Sequence, residues 1–165
     1  MTVAVNDGKG LALRLVDAAL ASVGTDAATT EKDLFSVSVK AGKIVRPRER
    51  MVIRAWGTFA ATADTKRIRA YFGGTVIADS GAIAANTGHW ELEAEVVLTD
   101  RLTQMYRGRV KVKTSVATTI DTDYFTQGTL ALDEITALIA KVTGQNGAAT
   151  LNDAVLVGGT VEISD

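Results

Sequence analysis

The chain of 165 residues contains no cysteine, one histidine and one proline. Without cysteine, thiol catalysis, a disulfide framework and cysteine-bound zinc are all excluded. With a formal net charge of -1, the chain lacks the excess of basic residues that a general nucleic-acid binder carries. No window approaches the ~20 apolar residues of a membrane span, and the N-terminus has no apolar stretch typical of a secretory signal. We expect a soluble protein of an intracellular or virion setting, with no cofactor, no specific nucleic acid and no membrane as partner.

What the chain does contain is sufficient for a packed core. Apolar residues make up 47% of the sequence and charged residues 22%, a balance typical of globular domains. A chain of this length fits one domain and buries roughly 70% of its unfolded surface. It therefore folds without support from a metal.

The first 33 residues differ from the rest, because they are rich in Ala, Thr, Asp and Gly. We predict an arm over residues 1–33 and a β-domain over residues 34–165. The apolar residues between positions 11 and 20 fit either helical spacing or strand alternation, and we favour a partly extended segment. Such an arm cannot bury its own leucines, so it docks on its own domain or on a neighbour. Its candidate partner-binding residues are Leu11, Leu13, Leu15, Val16 and Leu20.

From Asp33 onward, apolar and polar residues alternate with the period of two that is typical of half-buried strands. About eight short strands and no convincing helix favour an antiparallel β-sandwich or barrel. Within it, Val52 and Trp56 are expected on an outer face, and residues 114–123 are expected to form a loop. The last strand is expected to bury Val155, Val157, Val161 and Ile163. The predicted strands cover residues 35–39, 51–59, 67–72, 75–78, 90–98, 102–112, 135–142 and 154–163.

Three glycine-containing dipeptides mark interruptions of these strands. Gly73-Gly74 predicts a tight reversal that needs positive φ. Asn146-Gly147 predicts a turn, and Gly158-Gly159 predicts a bulge or a close approach of backbone.

Two neighbouring strands carry charged rows of opposite sign. If they form a direct hairpin centred near Arg101, paired residue numbers sum to 202, and each acidic residue then faces a basic one. A strict jelly roll instead tends to send the two strands into opposite sheets, where the rows serve subunit contacts, and we favour this alternative slightly. The acidic row, expected to be exposed, is Glu91, Glu93 and Glu95, and the basic row is Arg107, Arg109 and Lys111.

Residues with catalytic or metal-binding chemistry are scarce. His89 has no second histidine and no cysteine near it in the sequence, and it is expected to be a turn residue at a strand entry. Asp121 and Asp123 lack the further ligands of a cation site and more typically satisfy their own backbone. No nucleophile elbow is present. We therefore predict no catalytic, metal-binding or cofactor-binding residues and no enzymatic activity.

One concentrated basic patch precedes the second predicted strand of the domain. It is either a solvated loop, which we favour, or a contact to an acidic partner surface or to phosphates. Its arginines complete the candidate partner-binding set. The patch contains Lys40, Lys43, Arg46, Arg48 and Arg50.

Three segments carry a resemblance to a known group of proteins. They are residues 52–60 (VIRAWGTFA), residues 66–81 (KRIRAYFGGTVIADSG) and residues 88–90 (GHW). Together they resemble tailed-bacteriophage virion proteins with a jelly roll similar to that of tumour necrosis factor. The likeness covers residues 34–163 and leaves the arm outside.

The resemblance implies an all-β jelly roll and a non-enzymatic role in a virion. Members of this group serve as head decoration or cement proteins, commonly trimeric, or as fibre and tail components. The expectation is a homotrimer on the outer face of the capsid, made in the bacterial cytoplasm and bound to the major capsid protein. The alternative is a fibre or tail module that binds a host-surface glycan, for which Trp56, Tyr71, Tyr106 and Tyr124 are the candidate aromatic residues.

Overall fold

The computed structural model describes residues 13–44, 48–100, 102–114, 120–133 and 135–164, and every regular element in these ranges is a β-strand. None of the described segments forms a helix that would be long and apolar enough to cross a bilayer. The strands are β1 (Leu13–Ala19), β2 (Val23–Gly24), β3 (Lys32–Val39), β4 (Arg50–Phe59), β5 (Thr65–Phe72), β6 (Thr75–Asp79), β7 (Ile83–Ala84), β8 (Gly88–Asp100), β9 (Thr103–Thr114), β10 (Ile120–Leu130), β11 (Leu138–Asn146) and β12 (Ala154–Ser164).

The strands form two antiparallel sheets. The large sheet has the order β1-β12-β4-β8-β9-β10, with β2 also paired to β12, and the small sheet has the order β3-β11-β5-β6, with β7 paired to β5. Apart from β9 and β10, the large-sheet order β1-β12-β4-β8 and the small-sheet order β3-β11-β5-β6 form an eight-stranded arrangement in which the chain crosses repeatedly between sheets. This is a jelly roll, and the predicted antiparallel sandwich is confirmed. The remaining strands β9 and β10 widen the large sheet and pack against β6 of the small sheet.

The core lies between the sheets and is built by the alternation read from the sequence. Met51, Ile53 and Phe59 of β4 are buried, and Trp90 of β8 is buried on the same side. Successive side chains of a strand point to opposite faces, so this alternation gives each sheet one apolar face. Val52 departs from the expectation, because it is only 3% exposed on the outer face.

The glycine that follows Trp56 in β4, Gly57, leaves room for a core side chain. Gly57 and Trp90 are register partners, and a Cβ built on Gly57 would lie 2.5 Å from the Trp90 ring and 1.9 Å from the Val155 carbonyl oxygen. The largest core side chain therefore packs over a residue without a side chain. The glycine pair after β5 has a different role, since Gly73 and Gly74 have φ values of 55° and 82° and make the predicted reversal into β6.

A bulge shifts the inward face of β12. The register against β4 slips between Leu156 and Gly158, as the glycine pair predicted. Before the bulge the buried residues are therefore Ala154 and Leu156. The prediction that Val155 and Val157 are buried is wrong, because it continued one alternation through the bulge, whereas the buried positions of Val161 and Ile163 are confirmed.

Two boundaries in the second half also differ from the prediction. Residues 120–123 belong to β10 and not to a loop, and the strand expected at 135–142 runs from Leu138 to Asn146. The Thr-rich sequence of β10 has the β-branched and aromatic residues that favour strands. Residues 115–119 lie outside the described ranges.

Candidate functional site

The charged rows form a direct hairpin, the alternative that we favoured less. In the β8–β9 pairing, Glu95 faces Arg107, Glu93 faces Arg109 and Glu91 faces Lys111, so the sum of 202 is confirmed. The expected separation into opposite sheets is wrong, because β9 and β10 are added to the large sheet beside β8 and do not cross over.

The ion pairs across this face run wider than the hairpin. Arg107 Nε lies 2.6 Å from Glu95 Oε2, whereas Glu93 pairs with Arg54 at 3.0 Å and Arg109 pairs with Asp123 at 2.9 Å. The directly opposed residues Glu93 and Arg109 are thus each held by a residue of a different strand. The result is a charged band over β4, β8, β9 and β10.

Glu95 lies inside this band and is buried, so the expectation of an exposed acidic row is wrong for Glu95, whereas Glu91 and Glu93 are exposed as predicted. Its carboxylate lies between Arg107 and Arg50, with Arg50 Nη1 3.1 Å from Glu95 Oε1. Val52 is the register partner of Glu95, so the long side chains of the band account for its burial. A partner chain is therefore not needed to cover Val52, while Trp56 keeps 46% of its surface exposed.

Trp56 borders a hollow on the outer face of the large sheet. A Cβ built on Gly158 would lie 2.5 Å from Trp56 Cζ2, so the indole rests on the backbone of the β12 bulge. Beside it, toward β8 and β9, the surface sinks into an open depression of about 400 Å³. We call this depression the Trp56 hollow. It is lined by Arg54, Ala55, Trp56, Glu91, Leu92, Glu93, Arg109 and Lys111.

A second candidate surface, the open edge, is formed by β1 and the β3 end. Strand β1 ends the large sheet and β3 ends the small sheet, and the two border a common depression of about 310 Å³. The side chains of residues 14–17 are all exposed, and the pairing of β1 with β12 is irregular between Leu15 and Asp17. The depression is lined by Arg14, Leu15, Val16, Asp17, Val37, Ser38, Lys40 and Lys43.

The open edge unites part of the two predicted partner-binding groups. Leu15 is 57% exposed and Val16 is also exposed in β1, and both border the same depression as Lys40 and Lys43 of the predicted basic patch. Leu20 follows β1 and is 93% exposed. Leu11, the side chain of Leu13, and Arg46 lie outside the described part of the chain.

The other arginines of the basic patch are placed differently. Arg48 is exposed, has φ 80°, and its backbone N–H donates to Leu98 O at 2.9 Å. Arg50 lies in β4 and is bound to Glu95 on the outer face. The run of alternating arginines therefore divides between a turn and the charged band.

The outer face of the small sheet carries a separate polar network. Tyr71 Oη donates to the Glu31 carboxylate at 2.9 Å, Arg69 lies 2.9 Å from it, and Thr143 also donates to it. Burial works to raise the pKa of Glu31, but these three partners outweigh it and hold the pKa below its usual value. Burial and the Glu31 charge raise the pKa of Tyr71.

Asp79 extends this network along β5 and β6. Burial works to raise the pKa of Asp79, but hydrogen bonds from Arg67 and the Gly81 N–H, with the charge of Arg69, lower it. The Arg67 guanidinium binds both carboxylate oxygens, with Nε 2.8 Å from Oδ1. The acidic and basic groups of this network form ion pairs with one another, so their charges on this face are neutralised.

A buried ion pair was missed by the sequence reasoning. The Lys66 ammonium donates to the backbone carbonyls of Thr62, Asp64 and Ala85 at 2.6 to 3.0 Å, and it faces Asp153. Asp153 also accepts from the Thr62 hydroxyl. These residues are far apart in sequence, so no local pattern announces the pair.

The remaining candidates for chemistry are isolated. His89 is exposed on β8, opposite Lys113 and Thr58, and Asp123 is the partner of Arg109. Within the described ranges, no three His, Asp or Glu side chains converge as a metal site would require. The side chain of Asp121 is not among the described ones.

Comparison with known proteins gives no family assignment: no family model, no curated protein and no solved structure matches the chain.

Proposed function

We propose that the chain is a non-enzymatic structural protein of a tailed-bacteriophage particle, a trimeric decoration or cement protein that binds the outer face of the head. The major capsid protein is its partner in this proposal, and the capsid surface is its location. The resemblance of residues 34–163 supports the class of protein. The jelly roll is the fold that this resemblance implies.

The observation that carries the docking role is the open edge. An exposed edge strand offers unpaired backbone groups, and most proteins protect such an edge. Within the described part of the chain, no strand pairs with the outer edge of β1, and its exposed Leu15 and Val16 lie beside the cations Lys40 and Lys43. Apolar contact flanked by positive charge fits a partner surface of apolar and acidic residues.

Repetition of the site explains how a modest contact stabilises a shell. A capsid presents the same surface many times, and a trimer engages several copies at once. Linked binding events raise the overall avidity without any new contact. The affinity of each open edge for the capsid can therefore be weak, and the full set of bound trimers still stabilises the shell.

Cryo-electron microscopy of particles that carry the protein tests this proposal. We expect its density on the outer face of the head at the lattice positions of a trimer. Density confined to the tail or fibres would overturn the decoration role. A second experiment tests which residues dock: purified variants are added to particles that lack the protein, and their occupancy on the head is compared.

The variants are matched by residue type and exposure. Leu15→Ser and Leu20→Ser, combined, are expected to reduce head occupancy strongly. Leu151→Ser is the control, because Leu151 is 61% exposed but lies before β12, outside the open edge. Equal occupancy of the two variants would show that the open edge is not the docking surface.

A second candidate function is favoured by one specific observation. Trp56, one of the four aromatic candidates for a glycan platform, is half exposed at the rim of a hollow. The chain as a fibre or tail module that binds a host-surface glycan is the function that such a platform supports. Location in the particle distinguishes the two candidates, and the same microscopy decides between them.

A further inference from the structure

The Trp56 hollow combines an aromatic platform, a concave surface and fixed polar groups. We propose that it binds a neutral pyranose unit of a glycan. This inference deepens the glycan-binding candidate and rests on it.

The platform is held in place by the bulge of β12. The indole of Trp56 rests on Gly158, where any larger residue would collide with it. Because the indole lies over β12, it leaves the strip of sheet between itself and β9 uncovered. The side chains of Ala55 and Leu92 in this strip face the core and are buried, so they do not fill the hollow. The hollow is therefore a result of the Trp56–Gly158 contact.

Sugar rings match such a platform by their two-sided chemistry. One face of many pyranoses exposes mainly C–H groups, which pack on an aromatic ring, while the hydroxyl groups at the edge need hydrogen-bond partners. Tryptophan offers the largest aromatic face and is favoured where one side of a contact is apolar and the other is wet. At about 400 Å³ the hollow lies at the small end of ligand sites, which span roughly 300 to 1,000 Å³, so it suits one or two rings.

The polar rim is already positioned before any ligand arrives. Arg54 is fixed by Glu93 and Glu162, with nitrogen–oxygen distances of 3.0 and 2.7 Å, and Arg109 is fixed by Asp123 and lies 5.8 Å from the Phe125 ring centre. Guanidinium groups donate to sugar hydroxyl oxygens, and carboxylates accept from sugar hydroxyl groups. Fixed partners lower the ordering cost of binding.

The charge around the hollow selects a neutral sugar over an acidic one. The cations at the rim are Arg54, Arg109 and Lys111. Four carboxylates lie near them: two line the hollow, and two outside it pair with its arginines. Arg54 and Arg109 are thus already paired with carboxylates, so a sugar carboxylate would have to compete for them, whereas sugar hydroxyl groups would not. The four are Glu91, Glu93, Asp123 and Glu162.

Affinity electrophoresis of the purified full chain tests the site. The probes are four neutral polymers (dextran, mannan, galactan and a soluble N-acetylglucosamine polymer) and one acidic polymer, polygalacturonate. We expect at least one neutral polymer to retard the wild-type protein and polygalacturonate to leave its mobility unchanged. Trp56→Ala is expected to weaken the retardation about tenfold or more, because it removes the stacking platform.

Three further variants separate the hollow from the rest of the surface. Met105→Ala is the control, because it removes a large apolar side chain that is 56% exposed on the same face of β9 but does not line the hollow. It is expected to bind as the wild type does. Trp56→Phe keeps a ring and is expected to retain binding, and Glu91→Gln is expected to weaken it without removing the platform.

The outcomes distinguish the site from the function. Retardation that survives Trp56→Ala, or that Met105→Ala abolishes, would overturn the hollow and leave glycan binding standing. Retardation by polygalacturonate alone would overturn the choice of a neutral sugar. No retardation by any polymer would overturn the hollow and the glycan-binding candidate together, and the decoration role would be unaffected.

Discussion

Lys66 and Asp153 form an ion pair with no exposed side-chain surface, and Lys66 Nζ lies 3.5 Å from Asp153 Oδ1. Asp153 Oδ2 is buried without a hydrogen-bond partner among the described residues. The pair joins the start of β5 to the residue that precedes β12. It thus fastens loops at one end of the sandwich.

Lys66→Met is expected to lower the free energy of unfolding by about 3 to 5 kcal/mol, because removal of one partner leaves the other charge buried and uncompensated. Urea-induced unfolding followed by circular dichroism measures the change. Lys141→Met is the control, since Lys141 pairs with Asp33 at a partly exposed site, and its expected cost is below about 1 kcal/mol. Equal costs for the two variants would contradict the role of burial.

Glu31 and Asp79 predict a loss of stability in acid. Their folded-state pKa values lie below the usual 4.5 and 3.8, so the native state binds these protons less readily than the unfolded chain. Their stabilising contribution is complete above the unfolded pKa and is lost as pH falls through the folded pKa. Unfolding free energies measured from pH 7 to pH 2.5 are expected to fall below about pH 4.5.

Glu31→Gln isolates one part of this acid sensitivity. The variant is expected to be less stable than the wild type at pH 7, and the difference is expected to shrink as the pH is lowered. Glu91→Gln, at an exposed position of the other sheet, serves as control and is expected to give a small difference at every pH. A Glu31→Gln difference that stays constant down to pH 2.5 would count against the Glu31 network.

The charged band predicts which pairs couple. A double-mutant cycle on Glu95 and Arg107 is expected to give about 0.2 to 1 kcal/mol at low salt, which fades as salt is added. The cycle on Glu93 and Arg109 is expected to give nearly zero, because each residue binds elsewhere. A larger coupling for the second pair would refute the observed division of partners.

The two close glycine contacts differ in what can yield. Gly57→Ala places a methyl group against a backbone carbonyl and the buried Trp90, so we expect it to cost more than the ~1 to 3 kcal/mol typical of overpacking or to prevent folding. Gly158→Ala meets the indole of Trp56, which is half exposed and free to shift. Thermal unfolding is expected to rank the two variants in that order, and the opposite order would contradict this packing.

Assembly into a trimer is the remaining prediction of the proposed function. Light scattering at micromolar concentration is expected to give three times the chain mass of 17.4 kDa. The trimer rests on the resemblance, because Val52, expected to need an interface, is already covered within the chain. A stable mass of one chain would refute the trimer.

The fold was predictable because alternation reports burial on one face of each strand. The register of β8 and β9 was also contained in the sequence, since only pairing to a sum of 202 puts Glu95 opposite Arg107 while Val96 stays inward. Alternation alone does not show where the inward and outward positions of a strand exchange. In β12 the glycine pair announced a bulge, but only the pairing with β4 showed that Val157 turns outward as a consequence.

The candidate surfaces were less accessible to sequence reasoning. Glu95 was expected to be exposed because its strand face is polar, yet its burial results from Arg50 and Arg107 on two neighbouring strands. The Trp56 hollow depends in the same way on Gly158, which lies a hundred positions away. Side chains that are covered by long-range neighbours leave no periodic signal.

The pairing of β1 with β12 has a practical consequence for experiments on this molecule. Leu13 and Ser164 are register partners, so both described ends of the chain meet at the same corner of the large sheet. A label attached at Leu13 or at Ser164 would lie beside the open edge. Labels for imaging are therefore better inserted in the reversal at Gly73-Gly74, at the tip of the small sheet.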